Sequence, residues 1–291
     1  MENLAIIVLN YNSVSDSIKC VNQLLSFQET FHIVLVDNNS KDDSYEILKS
    51  KYSQEFFVDV IETGTNKGYS AGNNAGIHFA ENQYHVDTVA ILNPDVFIPN
   101  VQVIKIMLEK LYLDDSYAVV GGVTLDSNGN FNPHLSCWDI PTNKHLIIDH
   151  SLFYKSNSQN KNRKKISKNL VQVDCVAGCF FMAKVIALKM IGYLDENVFM
   201  YNEENLLGIR CKKYGYKEIM VTDQYYFHNH KKSTKKLSFY EKIKVTEKSY
   251  QSRKYMCKTY YPKRLLFPLW CIEMINRLYL AGCYLYGKIK K

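Results

Sequence analysis

Leu4-Ala5-Ile6-Ile7-Val8-Leu9, closed by Asn10-Tyr11-Asn12, is the stretch that decides the fold. An unbroken apolar run that ends in polar residues reads as a parallel strand covered on both faces, since a strand with one wet face would alternate. Outward from it, Ser15 to Phe27 carries Ile18, Val21, Leu24 and Leu25 at helical spacing, with Ser15 or Asp16 placed to cap. Phe31 to Val36 is a second strand, stopped by Asp37-Asn38-Asn39-Ser40. Next come a helix over Asp42 to Tyr52, a strand over Phe57 to Glu62 and a helix over Ser70 to Glu81. A buried strand over Thr88 to Leu92 ends at Asn93-Pro94-Asp95, and Val101 to Leu113 (helix) and Ala118 to Val123 (strand) continue the pattern.

Strand and helix alternating in this way predict parallel βαβ units and an α/β fold. Ligands of such sheets sit beyond the carboxyl ends of the strands. Asn10-Tyr11-Asn12, Asp37-Asn38-Asn39 and Asn93-Pro94-Asp95 all stand at such ends. Three distant segments are therefore expected to meet in one crevice.

Over 291 residues, 46% hydrophobic and 22% charged residues describe a globular chain long enough for one large domain and an appendage. The formal net charge of +7 is too mild to indicate a nucleic-acid partner, and it suits anionic lipid head groups or a diphosphate. None of the eight cysteines forms a CxxC pair. Zinc sites and disulfide frameworks give way to buried free thiols in a reducing compartment. Met1-Glu2-Asn3 lacks the basic region of a secretory signal, and Leu4 to Leu9 is too short for its apolar core, so a cytoplasmic chain is expected.

From Asp126 to Asn169 periodicity is lost and Asn, Ser and Lys accumulate, which predicts a mobile loop or lid. Its basic run, Lys161 to Lys168, is either a solvated loop or an anion site. Order returns with the apolar Val176 to Met182 and helices over Val185 to Ile191 and Asn202 to Tyr214, the latter closed by Gly215. A strand over Tyr216 to Val221 leads to Phe227-His228-Asn229-His230. The tail from Phe239 is helical, basic and tyrosine-rich, interrupted by Pro262 and Pro268. Leu269 to Tyr286 is apolar except for Glu273, Asn276 and Arg277. Its helical length of about 27 Å is borderline for crossing a bilayer, and the two charges oppose a crossing. A helix lying in the membrane interface fits, flanked by Lys263-Arg264 and by Lys288, Lys290 and Lys291. Packing on the preceding domain or on a second subunit is the alternative.

The strand-end clusters carry specific chemistry. Asp37 can accept from a base N–H or a ribose hydroxyl, and its position leaves that choice open. The first turn, Asn10-Tyr11-Asn12-Ser13, has no glycine, so the GxGxxG of a dinucleotide site is missing, as is a Walker lysine motif. Redox and P-loop chemistry fall away, and so does a nucleotidyltransferase with a glycine-rich loop after its first strand. Asp95 with a second ligand could hold Mg²⁺ or Mn²⁺ against a diphosphate, although Asn-Pro-Asp is also ordinary turn chemistry. Glu203-Glu204 opens a helix, either as caps or as the base that takes a proton from an acceptor hydroxyl. His228 and His230 are metal ligands or surface residues.

With these motifs in order, the chain resembles the family 2 glycosyltransferases, the inverting GT-A class, from about Leu4 to Ser233. It is most similar to the bacterial branch, including rhamnosyltransferases, that builds capsule, O-antigen and cell-wall polysaccharides. The resemblance rests on Asn10-Tyr11-Asn12, Val36-Asp37-Asn38-Asn39-Ser40, the stretch from Asn66-Lys67-Gly68-Tyr69 to Gly76, Leu92-Asn93-Pro94-Asp95, Gly178, Tyr201-Asn202-Glu203-Glu204 and His228. It implies a GT-A domain over residues 1–235, with a Rossmann-like, mostly parallel sheet flanked by helices. A C-terminal helical extension over 236–291 follows, membrane-interfacial or dimerising. By the same resemblance Asp37 contacts the donor base, and Asn66, Gly68 and Asn73 line the donor pocket, with Asn10, Tyr11, Asn12, Asn39, Lys67 and Asn93 beside them. Asp95 is the retained acid of a DxD-type metal motif whose first position is here Asn93. His228 matches a late metal-ligand histidine, with His230 as the alternative. The base falls on Glu204, with Glu203 as the alternative, and Leu206 stands where a further acid is usual. The implied reaction moves a sugar from a UDP- or dTDP-sugar, dTDP-rhamnose among them, to a lipid-linked oligosaccharide at the inner face of the cell membrane. Mg²⁺ or Mn²⁺ is the implied cofactor. Asn93 and Leu206 keep open a degenerate sugar-nucleotide-binding or scaffold subunit, and the tail keeps open a homodimer.

Overall fold

The computed structural model describes residues 1, 3–131, 133–154, 162–229 and 238–289. The first half runs β1 (Leu4–Asn10), α1 (Val14–Ser26), β2 (His32–Asp37), α2 (Ser44–Lys51), β3 (Val58–Glu62), α3 (Tyr69–Tyr84), β4 (Thr88–Leu92), β5 (Val96–Phe97), α4 (Gln102–Leu111) and β6 (Tyr117–Asp126). Short elements follow: α5 (Pro133–Ser136), β7 (Cys137–Trp138), α6 (Asn143–Ile148), β8 (Lys164–Lys165), β9 (Leu170–Val173) and β10 (Cys175–Val176). The remainder is β11 (Phe180–Lys184), α7 (Val185–Ile191), α8 (Glu203–Lys213), β12 (Lys217–His228), α9 (Phe239–Tyr260) and α10 (Leu266–Ile289).

The main sheet has the order β3-β2-β1-β4-β11-β6-β12-β9-β8, with β5 paired to β12. β1 pairs in parallel with β2 and β4, and β2 with β3. β11 inserts antiparallel between β4 and β6, and β6 and β12 are again parallel. The unbroken apolar run of β1 is explained by cover on both sides. Ile6 and Val8 join a core with Leu24 of α1, Leu48 of α2 and Met107 of α4. Ala5 and Ile7 join the opposite core with Ile77 of α3, Leu188 of α7 and Leu207 of α8.

α3 lies unusually close to the sheet. A Cβ on Gly72 would stand 2.5 Å from Leu9 Cδ1, and one on Gly76 would run into Ile7 Cγ2 and come within 2.8 Å of Val36. The two glycines let the helix settle on β1 and β2, and this sets where its first turn points.

Three sequence expectations change. β12 continues past Val221 to His228, because a bulge between Met220 and Tyr225 absorbs the polar Thr222-Asp223-Gln224 and pairing with β6 resumes. Pro268 does not interrupt the tail; it sits in the first turn of α10, where its missing N–H has no intrahelical role. The stretch from Asp126 to Asn169 is partly regular: α6 is capped by Thr142, whose side chain accepts from His145 N, and Lys164–Lys165 pairs with β9. Lys161, the start of the basic run, lies outside the described residues.

The chain divides into two compact units: Met1–Asp139 with Gln159–Glu196 and Glu203–His230, and Ile140–Ser158 with Asn197–Asn202 and Lys231–Lys291. Within the second, the His150 ring meets the Glu273 carboxylate at 2.9 Å, both side chains essentially buried. Arg277 Nε donates to the other Glu273 oxygen at 2.6 Å. Asn276 donates to His150 O and accepts from Leu152 N. These bonds hold Glu273 and Asn276 inward. The cysteines are free, and all but Cys271 and Cys283 are buried. Among the described residues no helix is long and apolar enough to cross a membrane.

Gly76→Val should destabilise the folded chain by about 1–3 kcal/mol, the usual cost of forcing extra carbons into a packed interface. Urea unfolding would report it, and an unchanged midpoint would contradict the close approach of α3.

Candidate active site

The parallel register places Asn10 of β1 beside Asp37 of β2. Both are buried, Asp37 to 1% exposure. Asn10 Nδ2 donates to Asp37 Oδ1 at 2.7 Å. Ser40 donates to Asp37 twice, from its hydroxyl at 2.6 Å and its backbone N at 2.8 Å. Ser17 Oγ in turn donates to Asn10 Oδ1 at 2.7 Å. The chain beyond β1 is tied to the same turn, since Asn12 N donates to Ser40 Oγ and Lys41 N to Asn12 Oδ1. Asn12 and Asn39 take positive φ, 51° and 57°, which asparagine tolerates. Tyr11 is exposed at the rim.

Asn38 carries this floor across to the loop before α3. Its side chain donates to Asn66 Oδ1 and to Gly68 O, both at 3.2 Å, and accepts from Thr63 Oγ1. Asn66 Oδ1 also accepts from Gly68 N, and Gly68 has φ 103°, a conformation suited to glycine. Lys67 is exposed. Asn73 donates to Tyr69 O. Its Oδ1, with Ser70 Oγ, is buried without a hydrogen-bond partner in the described structure, so polar atoms are available at the start of α3.

On the other side of β1, Asn93 N donates to Cys179 O at 2.8 Å, and Val96 N to Asn93 O closes the turn. β5 then pairs with the end of β12, His228 opposite Val96. This brings His228 Nε2 to 3.3 Å from Asp95 Oδ1. Burial alone would lower the His228 pKa; the Asp95 carboxylate and Cys179 beside it outweigh that and raise it to about 10, so without a metal the pair is an ion pair, and a bound cation would displace the imidazole proton. A carboxylate and an imidazole at this spacing suit a divalent cation whose other positions are filled by phosphate oxygens and water. Among the described residues no three His, Cys, Asp or Glu side chains are grouped to hold a metal unaided. His230, the alternative ligand, lies outside the described residues.

Glu203 and Glu204 form the first turn of α8. The Glu204 carboxylate is packed against the backbone at Gly178, where an added Cβ would stand 2.6 Å from its Oε1. Burial raises its pKa, and hydrogen bonds from the Glu204 and Gly178 backbones offset this in part. Tyr69 OH donates to Gly178 O at 2.5 Å. Burial, then the charges of Glu204 and Glu203, push the Tyr69 phenol well above its usual pKa. Residues 178–179 thus join the Glu204 carboxylate to the Asn93 turn and to α3. A carboxyl whose charged form is disfavoured by burial is a suitable proton acceptor.

Sequence reading singled out the ends of this network and passed over its connectors. Asn38, Ser40, Tyr69 and Cys179 were not chosen as site residues. Ser40 was within reach, since an oxygen three residues after Asp37 is the spacing of a side-chain-closed turn. Tyr69 and Cys179 act through partners more than 80 residues away, which no local pattern displays.

The mostly parallel sheet flanked by helices is that of the GT-A class, with the Asp95–His228 pair set after β4 and at the end of β12 and Glu204 in the first turn of α8. The model of the family described as glycosyl transferase family 2 matches residues 5–188, and the chain belongs to that family. It is 28% identical over 213 residues to the low-salt glycan biosynthesis hexosyltransferase Agl10 of Haloferax volcanii, covering 73% of this chain and 62% of that protein. It is 26% identical over 133 residues to the glycosyltransferase GlyG of Streptococcus pneumoniae, covering 45% and 42%. The match spans less than two thirds of either relative's length. Among solved structures, the mannosyltransferase PcManGT of Pyrobaculum calidifontis, in complex with GDP-Man and Mn²⁺, superposes with a TM-score of 0.58 at 14% identity, covering 99% of this chain and 75% of that one. GalNAc-T7 with UDP, GalNAc and Mn²⁺ gives 0.58 at 14% identity, covering 78% and 43%. S. aureus TarS gives 0.52 at 15% identity, covering 98% and 91%. At these identities the likeness is one of fold.

Glu218 lies behind the site, 2% exposed, one oxygen accepting from Val176 N at 2.8 Å. Burial raises its pKa well above the ordinary value; the bond from Val176 works against this, and the charges of Asp174 and Glu204 add to it. Above about pH 4.3 the unfolded chain has released this proton while the folded chain keeps it, so its contribution to stability falls as pH rises. Glu218→Gln should therefore gain stability relative to the natural chain between pH 4.5 and 7.5. Parallel pH profiles of the two melting curves would contradict the buried, protonated carboxyl.

Proposed function

We propose that the chain catalyses inverting transfer of a sugar from a UDP- or dTDP-sugar to a lipid-linked oligosaccharide in cell-surface polysaccharide synthesis, at the inner face of the membrane. The observation that carries this reading is the Glu204 carboxylate, partly buried and packed against Gly178, and linked through Cys179 to the turn that bears Asp95. Neighbours solved with GDP-Man or UDP and Mn²⁺ support a nucleotide-sugar donor and a divalent cation.

In this reading Asn10, Asp37 and Ser40 form the floor that receives the nucleoside. The Asn66–Gly68 loop and Asn73 border the donor, with Tyr11, Asn12, Asn39, Lys67 and Asn93 around the rim. Asp95 and His228 would hold Mg²⁺ or Mn²⁺, which would neutralise charge on the leaving diphosphate. Glu204 takes the proton of the acceptor hydroxyl as that oxygen bonds to the anomeric carbon and the bond from that carbon to the diphosphate breaks. Tyr69 fixes the Gly178 backbone against which Glu204 rests. Glu203 sits one position away, nearer the helix start, and is the alternative base.

Glu204→Gln should lower radiolabelled-sugar transfer by about 10²–10⁴-fold while leaving nucleotide binding unchanged, and Glu203→Gln should lower it far less. Full turnover by Glu204→Gln would remove the base assignment. Unaltered binding together with an inactive natural chain would favour a sugar-nucleotide-binding scaffold subunit.

A further inference from the structure

α10 has its polarity reversed. Its acid, Glu273, and its amide, Asn276, are fully buried within the C-terminal unit, paired with His150, Arg277 and the backbone of residues 150–152. Phe267, Trp270, Ile275, Leu278, Leu285 and Tyr286 are exposed, Phe267 and Leu278 by 70% and 73%. At about 100° per residue these six fall within one half of the helix circumference. Tyr279 extends the stripe through an edge-to-face contact with exposed Phe153 at 4.6 Å. A soluble helix shows water its polar face; this one shows water its apolar face.

The charge of the chain is divided just as unevenly. Residues 231–291 hold 16 Lys and Arg against three Asp and Glu, a net +13. Residues 1–230 hold 20 against 26, a net −6. Lys263 and Arg264, both exposed, precede the stripe, and Lys288, Lys290 and Lys291 follow it in sequence.

We infer that the outward stripe of α10 is a docking face for an anionic lipid bilayer, lying in the head-group region, with basic residues before it and after it in the sequence. Aromatic rings with polar tips and flanking lysines suit that region. A second copy suits it less. A two-fold pairing of α10 with itself would bring basic ends together in either direction, whereas anionic lipid neutralises both ends at once. No helix among the described residues is long and apolar enough to span, so the contact is peripheral. This inference rests on the membrane placement proposed above and names its surface, and it is independent of the donor chemistry.

The test is co-sedimentation of the full chain with phosphatidylcholine vesicles, with and without phosphatidylglycerol. The natural chain should pellet with the anionic vesicles and be released by salt. The double variant Trp270→Glu/Leu278→Glu should weaken binding about tenfold or more. Phe56→Glu, at an exposed aromatic of the sheet-bearing unit, should leave it unchanged. Sedimentation equilibrium and melting curves on the same proteins report their oligomeric state and that each is folded. Equal binding by the double variant would overturn the assigned face and leave the membrane placement standing. No binding by the natural chain would overturn both. A natural dimer that the double variant dissociates would hand the stripe to a second copy instead.

Discussion

Both oxygens of Asp37 accept hydrogen bonds from within the fold, from Asn10 on the neighbouring strand and from Ser40 three residues on. A carboxylate buried this deeply is tolerated only when its lone pairs are met. That requirement fixes the register of β1 against β2, because a slip of one residue would turn Asn10 to the other face. The turn at residues 38–41 and the chain at Asn12 are fastened to the same group, and Asn38 fastens the loop before α3. The ends of β1 and β2 and the loop before α3 are in this sense tied into one buried hydrogen-bonded knot.

The placement of Glu204 and of α3 depends on close backbone approach. Gly178 has no Cβ, so Glu204 can lie against the chain, and Gly76 has none, so α3 can sit low on the sheet and present Tyr69 to Gly178. β5 and the end of β12 supply Asp95 and His228 from segments more than 130 residues apart. The stretch that leads into Glu203 carries two left-handed residues, Tyr201 and Asn202, at φ 74° and 67°. Asn202 is held by a 2.8 Å bond to Ser252 of α9. Backbone in that region costs on the order of 1–3 kcal/mol per non-glycine residue and persists where surrounding bonds impose it.

The α/β class was legible from β1, β2 and β4 because strands covered on both faces leave unbroken apolar runs. The strand-end clusters were legible for the same reason: polarity begins where the sheet stops. Hidden from the sequence was whatever depended on distant partners. β12 could not be followed past Val221, since a bulge leaves no periodic trace. Ile140–Ser158 and Asn197–Asn202 cluster with the C-terminal helices through contacts far along the chain. Glu273 and Asn276 read as polar interruptions of an apolar helix, and only His150 and Leu152 reveal that they point inward.

Metal-assisted nucleotide binding at these strand ends is the central proposal. A thermal-shift screen of the full chain against UDP, dTDP, GDP and CMP, with and without Mn²⁺, tests this directly, because a ligand of the folded state raises the melting temperature by mass action. UDP or dTDP should raise the melting temperature, Mn²⁺ should enlarge the shift, and Asp95→Asn should lose it. A cooperative melt that no nucleotide moves, or a shift indifferent to both Mn²⁺ and Asp95, would contradict the proposal.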